Sequence, residues 1–314
     1  MTEMMQATQM RELTSGLEFP EGPIAMSDGT VVLTEIKAGR ITRVTPDGAK
    51  ETVAEPGGGP NGAALGPDGK LYVTNNGGCF VWLDVEGLTV PHQPNPEHES
   101  GWIERIDLRT GEVEVLYREC EGRPLIAPND IVFDREGGFY FTDHGVRDEY
   151  RSDRTAIHYG KADGSDIHEV ARPLDGPNGI GLSPDGNRLY VAETPSGRVF
   201  WWDVEAPGLL VRASGGLLPN GATLLAGLPG MQLLDSMAVD SAGHVCVATL
   251  LSAGVTRISP DGEELQFFET GDILTTNICF GGEDMRTAYV TLSGTGRLVR
   301  FEWPVPGAEL AYSA

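Results

Sequence analysis

"GPNGIGLSPDGNRLYVAETPSGRVFWWDV", Gly176 to Val204, contains a complete structural unit. An Asn introduces a short apolar run, Ser-Pro-Asp-Gly turns the chain, and a Tyr/Val-rich run follows before a second small-residue turn leads into a third run at Arg198. Asp-Gly between hydrophobic runs is hairpin chemistry, because the Gly takes positive φ without a steric cost. The stretch therefore predicts three antiparallel strands.

The same grammar recurs along the chain. It is found in "FPEGPIAMSDGTVVLTEIKAGRITRVTPDG" from Phe19, "GPNGAALGPDGKLYVTNNGGCFVWL" from Gly59 and "APNDIVFDREGGFYFTDHG" from Ala127. It returns in "LLDSMAVDSAGHVCVATLLSAGVTRISPDG" from Leu233 and "TTNICFGGEDMRTAYVTLSGTGRLVRFEW" from Thr275. Strand-turn-strand units spaced about 40 to 50 residues apart are the signature of a β-propeller, in which each unit is one blade. Parallel β-helices repeat faster, and an α/β barrel needs amphipathic helices at the 3.6-residue period, which are missing here. The fold class expected is all-β: a six-bladed β-propeller in one domain over residues 1–314. A polar N-terminal extension is expected at 1–15. Polar insertions at 84–101 and 146–156 interrupt the grammar where a lid over the propeller mouth would fit.

Composition agrees with that architecture. The 314 residues include 42 Gly and 21 Pro, with 40% hydrophobic and 22% charged residues, a profile of a turn-rich globular chain. A net charge of -23 repels phosphates and anionic bilayers, which disfavours nucleic acid and membrane as partners. The opening "MTEMMQATQMRELTSG" lacks the basic start and apolar run of a signal peptide, so a cytoplasmic location is expected. Cys79, Cys120, Cys246 and Cys279 form no CxxC pair and are expected to be free thiols rather than zinc ligands or a redox dithiol.

The innermost strand of each blade lines the channel, so the polar residues that introduce the units converge near one end of the axis. They are Glu21, Asn61, Asn129, Asn178, Asp235 and Asn277, all bearing side-chain oxygen. Carboxylates and carboxamides without Cys or well-placed His suit a hard divalent cation such as calcium. Asn before a strand is also a common turn former. The recurrence at equivalent positions favours a metal site in the central channel, with Glu21, Asn129, Asn178 and Asp235 as its ligands.

At these residues the chain resembles the gluconolactonase/regucalcin family, also called the senescence marker protein family, of six-bladed propellers. The resemblance rests on "PEGP" at Pro20 to Pro23, "PND" at Pro128 to Asp130, "FTD" at Phe141 to Asp143, "PNG" at Pro177 to Gly179, and Asp235. It implies one divalent metal ion held by Glu21, Asn129, Asn178 and Asp235, with Ca2+ expected and Zn2+, Mg2+ or Mn2+ also used in the family. It further implies hydrolysis of lactones, often sugar lactones, with Asp235 as the catalytic carboxylate and Asn61 and Asp130 in contact with substrate; His144, which departs from the family's pattern, is expected close to the pocket, in contact with substrate or assisting proton transfer. Phosphotriester hydrolysis and non-catalytic calcium binding are the alternatives on the same site. Two departures bear on specificity: "FTDHG" puts His144 where relatives commonly have Pro, and "QLLDSMAVD" replaces their usual turn before Asp235. A serine hydrolase is disfavoured by the lack of a GxSxG elbow and of the helices that alternate with strands in that fold.

Overall fold

The computed structural model describes residues 3–5, 10–92, 94–213 and 218–313. Within these, the turn chemistry acts as expected. In the first unit, Asp28 accepts hydrogen bonds from the amide and hydroxyl of Thr30, while Gly29 holds φ at 82°. The runs on either side then pair as antiparallel strands.

Six blades result. Their innermost strands are Pro20–Ala25, Pro60–Leu65, Pro128–Phe133, Pro177–Leu182, Leu233–Val239 and Thr275–Gly281, in chain order from blade one to blade six. Each inner strand packs on the next, and that of blade six returns to that of blade one, closing the ring. Second strands such as Val31–Glu35 and Leu71–Asn75 are buried along their whole length, since both faces of a blade meet a neighbour. That is why they read as continuous apolar runs rather than alternating ones. Six apolar clusters fill the six interfaces between blades; Tyr140, Ile157, Leu189, Val191 and Trp202 belong to the one between blades three and four.

The N-terminal segment corrects the expectation of an extension over 1–15. Arg11–Thr14 pairs antiparallel with Arg297–Glu302 as the outer strand of blade six, and Glu3–Met5 pairs parallel with Leu265–Glu269 at the edge of blade five. The first pairing joins the start of the chain to its last blade and covers backbone groups that an edge strand leaves unpaired. "RELT" buries only Thr14 fully, so it gives almost no alternation to detect. Residues 1–2 and 6–9 of that segment lie outside the described residues, as does Gln93 in the first insertion.

The insertions have structure of their own. Val81–Val85 and Leu88–His92 form a hairpin that starts before residue 84. In the second insertion Arg147 bridges to Ser152, and Arg154–Lys161 is already the third strand of blade three, so this insertion ends before residue 156. No described helix is long and apolar enough to cross a membrane.

Candidate metal centre at the channel mouth

Every inner strand breaks register near its start, and the break falls beside the introducing polar residue. The shifts lie between Glu21 and Ile24, Pro60 and Ala63, Pro128 and Ile131, Pro177 and Ile180, Leu234 and Met237, and Thr275 and Asn277. A bulge bends the strand and re-aims a side chain that regular pairing would fix. Here residues remote in sequence are brought together. Asn277 Nδ2 donates to Glu21 Oε2 at 2.7 Å, across 256 residues of chain, and the Asn178 side chain lies near enough to Asp235 to counter the rise in its pKa.

Two devices hold the ring in place. Threonines on second strands clamp the next blade, with Thr34 Oγ1 donating to the Asn61 carbonyl at 2.7 Å, Thr74 Oγ1 to that of Asn129 at 2.5 Å and Thr142 Oγ1 to that of Asn178 at 2.7 Å. The residue after each of these threonines, and Glu193 in blade four, ties down the segment leading into its own inner strand. Glu35 accepts from the Glu18 amide, Asn75 from Gly59, Asp143 from Ile126 and Ala127, and Glu193 from Asp175. Apart from "FTD", at Phe141 to Asp143, these supporting residues were not singled out from the sequence. Their signal is the recurrence of "LTE", "VTN", "FTD" and "VAE" at the ends of the second strands.

Three side-chain oxygens of the ring residues are left without a hydrogen-bond partner among the described residues. Glu21 Oε1, Asn129 Oδ1 and Asn178 Oδ1 are buried and accept no hydrogen bond, although Glu21 Oε2 is engaged by Gly22 and Asn277. A buried polar atom left unpaired costs about 1–3 kcal/mol, so three of them in one ring mark a place prepared for an electron-pair acceptor. Asp235, half-buried, completes the set.

The electrostatics agree. Burial raises the Glu21 carboxyl to about 6 despite its hydrogen bonds. Burial and the charge of Glu21 raise Asp130 to about 8, and burial, Glu21 and Asp130 push Asp235 well above the usual carboxylate range. Among the described residues no three His, Cys, Asp or Glu side chains gather tightly enough to hold a metal by themselves. The donor set needs its carboxamides. Two carboxylates and two neutral oxygens supply hard ligands and neutralise a dication, so the residues present fit calcium or a similar cation.

Asp130 differs from its neighbour. It is buried at the level of Gly22, Gly62 and Gly179, one residue deeper than the ligands, and a Cβ on Gly62 would come within 2.8 Å of its Oδ1. Its carboxyl accepts from the amides of Ile131 at 2.9 Å and Ile180 at 3.3 Å, linking blades three and four beneath the ring. It therefore forms a floor to the site rather than an open wall. Asn61 is buried in blade two, held through its carbonyl. His144 lies at the mouth end of blade three, half-buried, with Nδ1 3.1 Å from the Gly145 carbonyl oxygen and Nε2 near Gly176 of blade four. Burial lowers its pKa and favours neutral imidazole. A cleft of about 490 Å³ lined by Ser183, Asp185, Arg188 and Asp203 lies at the opposite end of blades four and five and shares none of these residues.

Residues 19–294 match the sequence profile of the SMP-30/Gluconolactonase/LRE-like region. The chain belongs to that family. Within it, the gluconolactonase of Zymomonas mobilis is 27% identical over 319 positions, covering 91% of this chain and 80% of that one. Among solved structures, the calcium-binding protein regucalcin from Agrobacterium tumefaciens superposes with a TM-score of 0.74 at 19% identity, covering 98% of this chain and 97% of that one. A gluconolactonase from Xanthomonas campestris gives 0.73 at 21% identity, with 94% and 89% covered. These structural likenesses establish the shared six-bladed propeller.

Proposed function

We propose that this protein hydrolyses lactones at the channel mouth, with one divalent cation, calcium, held by Glu21, Asn129, Asn178 and Asp235. The observation that carries the reading is the trio of buried, unpaired oxygens beside Asp235, in a chain of the gluconolactonase family. A bound dication supplies electrophilic pull on a carbonyl oxygen and offsets the negative charge that develops there.

The chain's own residues account for the rest. Asp235 retains access to the mouth and has a carboxylate made more basic by burial, so its free oxygen takes the proton of an attacking water and returns it to the departing ring alkoxide. Asp130 holds the amides of Ile131 and Ile180 together beneath the ring and so keeps the floor of the site in place. Glu21 is oriented by Asn277 and the Gly22 amide, which leaves Oε1 aimed at the site. Neutral His144 presents Nε2 at the rim as a hydrogen-bond acceptor for substrate, and Asn61 contributes a further polar side chain from blade two. The carboxylates' negative field disfavours anionic substrates until a cation is bound.

The test is turnover of a lactone panel with the protein stripped by chelation and then resupplied with Ca2+, Zn2+, Mg2+ or Mn2+. Hydrolysis that disappears on stripping and returns with one of these ions is expected. Hydrolysis unaffected by chelation overturns the metal-dependent reading. A phosphotriester in the same panel distinguishes the alternative chemistry, and calcium binding with no turnover of any ester leaves a non-catalytic propeller.

A further inference from the structure

The first three junctions between blades carry a threonine clamp, and the fourth, between blades four and five, does not. Thr34, Thr74 and Thr142 each reach the carbonyl of the next blade's ring residue. Blade four has Ala192 at that point of the repeat, directly before Glu193, which pairs with Pro177 as Glu35 pairs with Pro20. It therefore has no hydroxyl to offer the Asp235 carbonyl. Yet this junction joins two of the four proposed ligands, Asn178 and Asp235.

The link is made two residues further on, by half-buried Thr194. Its amide donates to the Gly176 carbonyl at 3.0 Å, two residues before Asn178, and its carbonyl accepts from the Leu234 amide at 3.4 Å, directly before Asp235. The first bond recurs along the repeat, from Ile36 to Phe19, Asn76 to Gly59 and His144 to Ala127. The second is possible only at this junction of the four. Pro60, Pro128 and Pro177 precede the ring residues that the three threonines clamp, and Pro has no amide to give. The Thr194 hydroxyl then meets the ligand itself, with Asn178 Nδ2 donating to Oγ1 at 3.1 Å. The residues at the same point of the first three blades are engaged elsewhere or apolar. Ile36 has no polar side chain, Asn76 Oδ1 accepts from the Gly78 and Cys79 amides, and His144 Nδ1 faces the Gly145 carbonyl.

A carboxamide has two unlike ends. Its oxygen offers an electron pair to a cation, and the protons of its NH2 group repel one. In Asn178 the end held by Thr194 is Nδ2, and the end left buried and unpaired is Oδ1.

We infer that Thr194 is a positioning residue of the metal centre: its hydroxyl holds the Asn178 carboxamide by Nδ2 with Oδ1 turned to the cation, and its main chain ties that blade to the segment entering Asp235. This rests on the reading of the ring as a cation site and is independent of which ester is hydrolysed.

Thr194→Val keeps the main chain and the shape but deletes the hydroxyl, and Thr194→Ser keeps the hydroxyl. The chelator-stripped proteins are titrated calorimetrically with Ca2+, Zn2+, Mg2+ and Mn2+, and their metal-free forms are unfolded in urea. For the ion that binds tightest, Thr194→Val is expected to weaken affinity about tenfold, the lower end of the range for losing a group that orients a metal ligand. Thr194→Ser is expected to retain an affinity close to that of the wild type. Thr194→Val in an Asn178→Leu background is expected to weaken affinity no further, because the residue through which the hydroxyl acts is gone. A lower unfolding midpoint for Thr194→Val with unchanged metal affinity assigns the hydroxyl to the fold alone and overturns the inference. So does an equal loss of affinity in both backgrounds. A wild type that takes up none of the four ions overturns the cation site and the inference with it. Metal binding that weakens in Thr194→Val, in a protein that hydrolyses no lactone, supports the inference and overturns only the lactonase reading.

Discussion

Blades three and six each bring an Asn to the ring, one position apart in the repeat, and the two carboxamides end in opposite states: Asn277 stands where blade three has Asp130, directly before the Ile that pairs with the second strand, Ile131 with Phe141 and Ile278 with Val290. Asn277 is satisfied: Oδ1 accepts from the Ile278 amide at 2.7 Å and Nδ2 donates to Glu21. Asn129 is buried with Oδ1 unpaired, as is Asn178 in blade four. Position in the repeat delivers an oxygen to the ring. The second residue of the bulge is met by the next amide, Ile131 in blade three and Ile278 in blade six, whereas the first, Asn129 or Asn178, keeps its oxygen unpaired.

Substitutions that separate these roles test the contrast, and the largest effect is expected at the residue through which both meet. Asp235→Asn removes a carboxylate that serves the ring and the reacting water, so kcat is expected to fall by about 10³-fold, within the range for loss of a general base. Steady-state kinetics at saturating metal measure this, and retention of full activity breaks the proposed role.

Next comes the pair of carboxamides. Asn129→Leu and Asn178→Leu are expected to weaken calcium affinity about 10- to 100-fold, the scale on which disturbing a metal site acts; Asn129→Leu leaves the metal-free protein as stable as before or more so, and Asn178→Leu costs about 1 kcal/mol because its Nδ2 bond to Thr194 Oγ1 is lost. In those proteins an unpaired oxygen has been replaced by an apolar group of similar size. Asn277→Leu is expected to do the reverse first, destabilising the metal-free fold by about 1–3 kcal/mol because Glu21 Oε2 and the Ile278 amide lose a partner. Calorimetric titration and urea unfolding separate the outcomes; equal stability loss in all three variants erases the distinction.

Acid-base behaviour sharpens it further. Asp130 carries an unfolded value of 3.8 to about 8 in the folded, metal-free protein, and Asp235 is also raised. The folded state then binds more protons than the unfolded one, so this stability is complete below the unfolded value and is lost as pH rises through the folded one. Buried His158, lowered to about 4 from 6.5, has the opposite effect only at lower pH. The metal-free melting temperature is thus expected to fall between about pH 6.5 and 8, with added calcium stabilising most at the upper end. A melting temperature that rises across that window contradicts the buried carboxyl cluster.

The smallest effect is expected in the clamps. Thr74→Val removes the donor to the Asn129 carbonyl and is expected to cost about 1 kcal/mol in urea unfolding, with a modest loss of metal affinity. Thr256, outside the ring, supplies a control of similar chemistry, since its hydroxyl pairs with Thr249 within blade five.

Much of this was legible in the sequence because a propeller repeats its instructions. The Asp-Gly turns and doubly buried second strands announce blades, and aligning them brings Glu21, Asn129, Asn178 and Asp235 to equivalent positions without any coordinates. The N-terminal strand escaped because "RELT" is short and polar, and its partner, Arg297–Glu302, lies at the far end of the chain. The family resemblance put Asp130, beside Asn129 in "PND", in contact with substrate. It is turned beneath the ring by the space that Gly62 leaves and by the amides of Ile131 and Ile180.

The sequence by itself thus determined the architecture, the number of blades and the chemical kind of donor, since these follow from local turn chemistry and a periodic pattern. Only the tertiary structure decided which oxygens remain unpaired, which carboxyl lies beneath the ring and which opens to the mouth, and that Trp82 rests on Phe19. Those outcomes depend on hydrogen-bond partners and burial contributed by neighbouring blades, and partners remote in sequence become definite only when the ring closes.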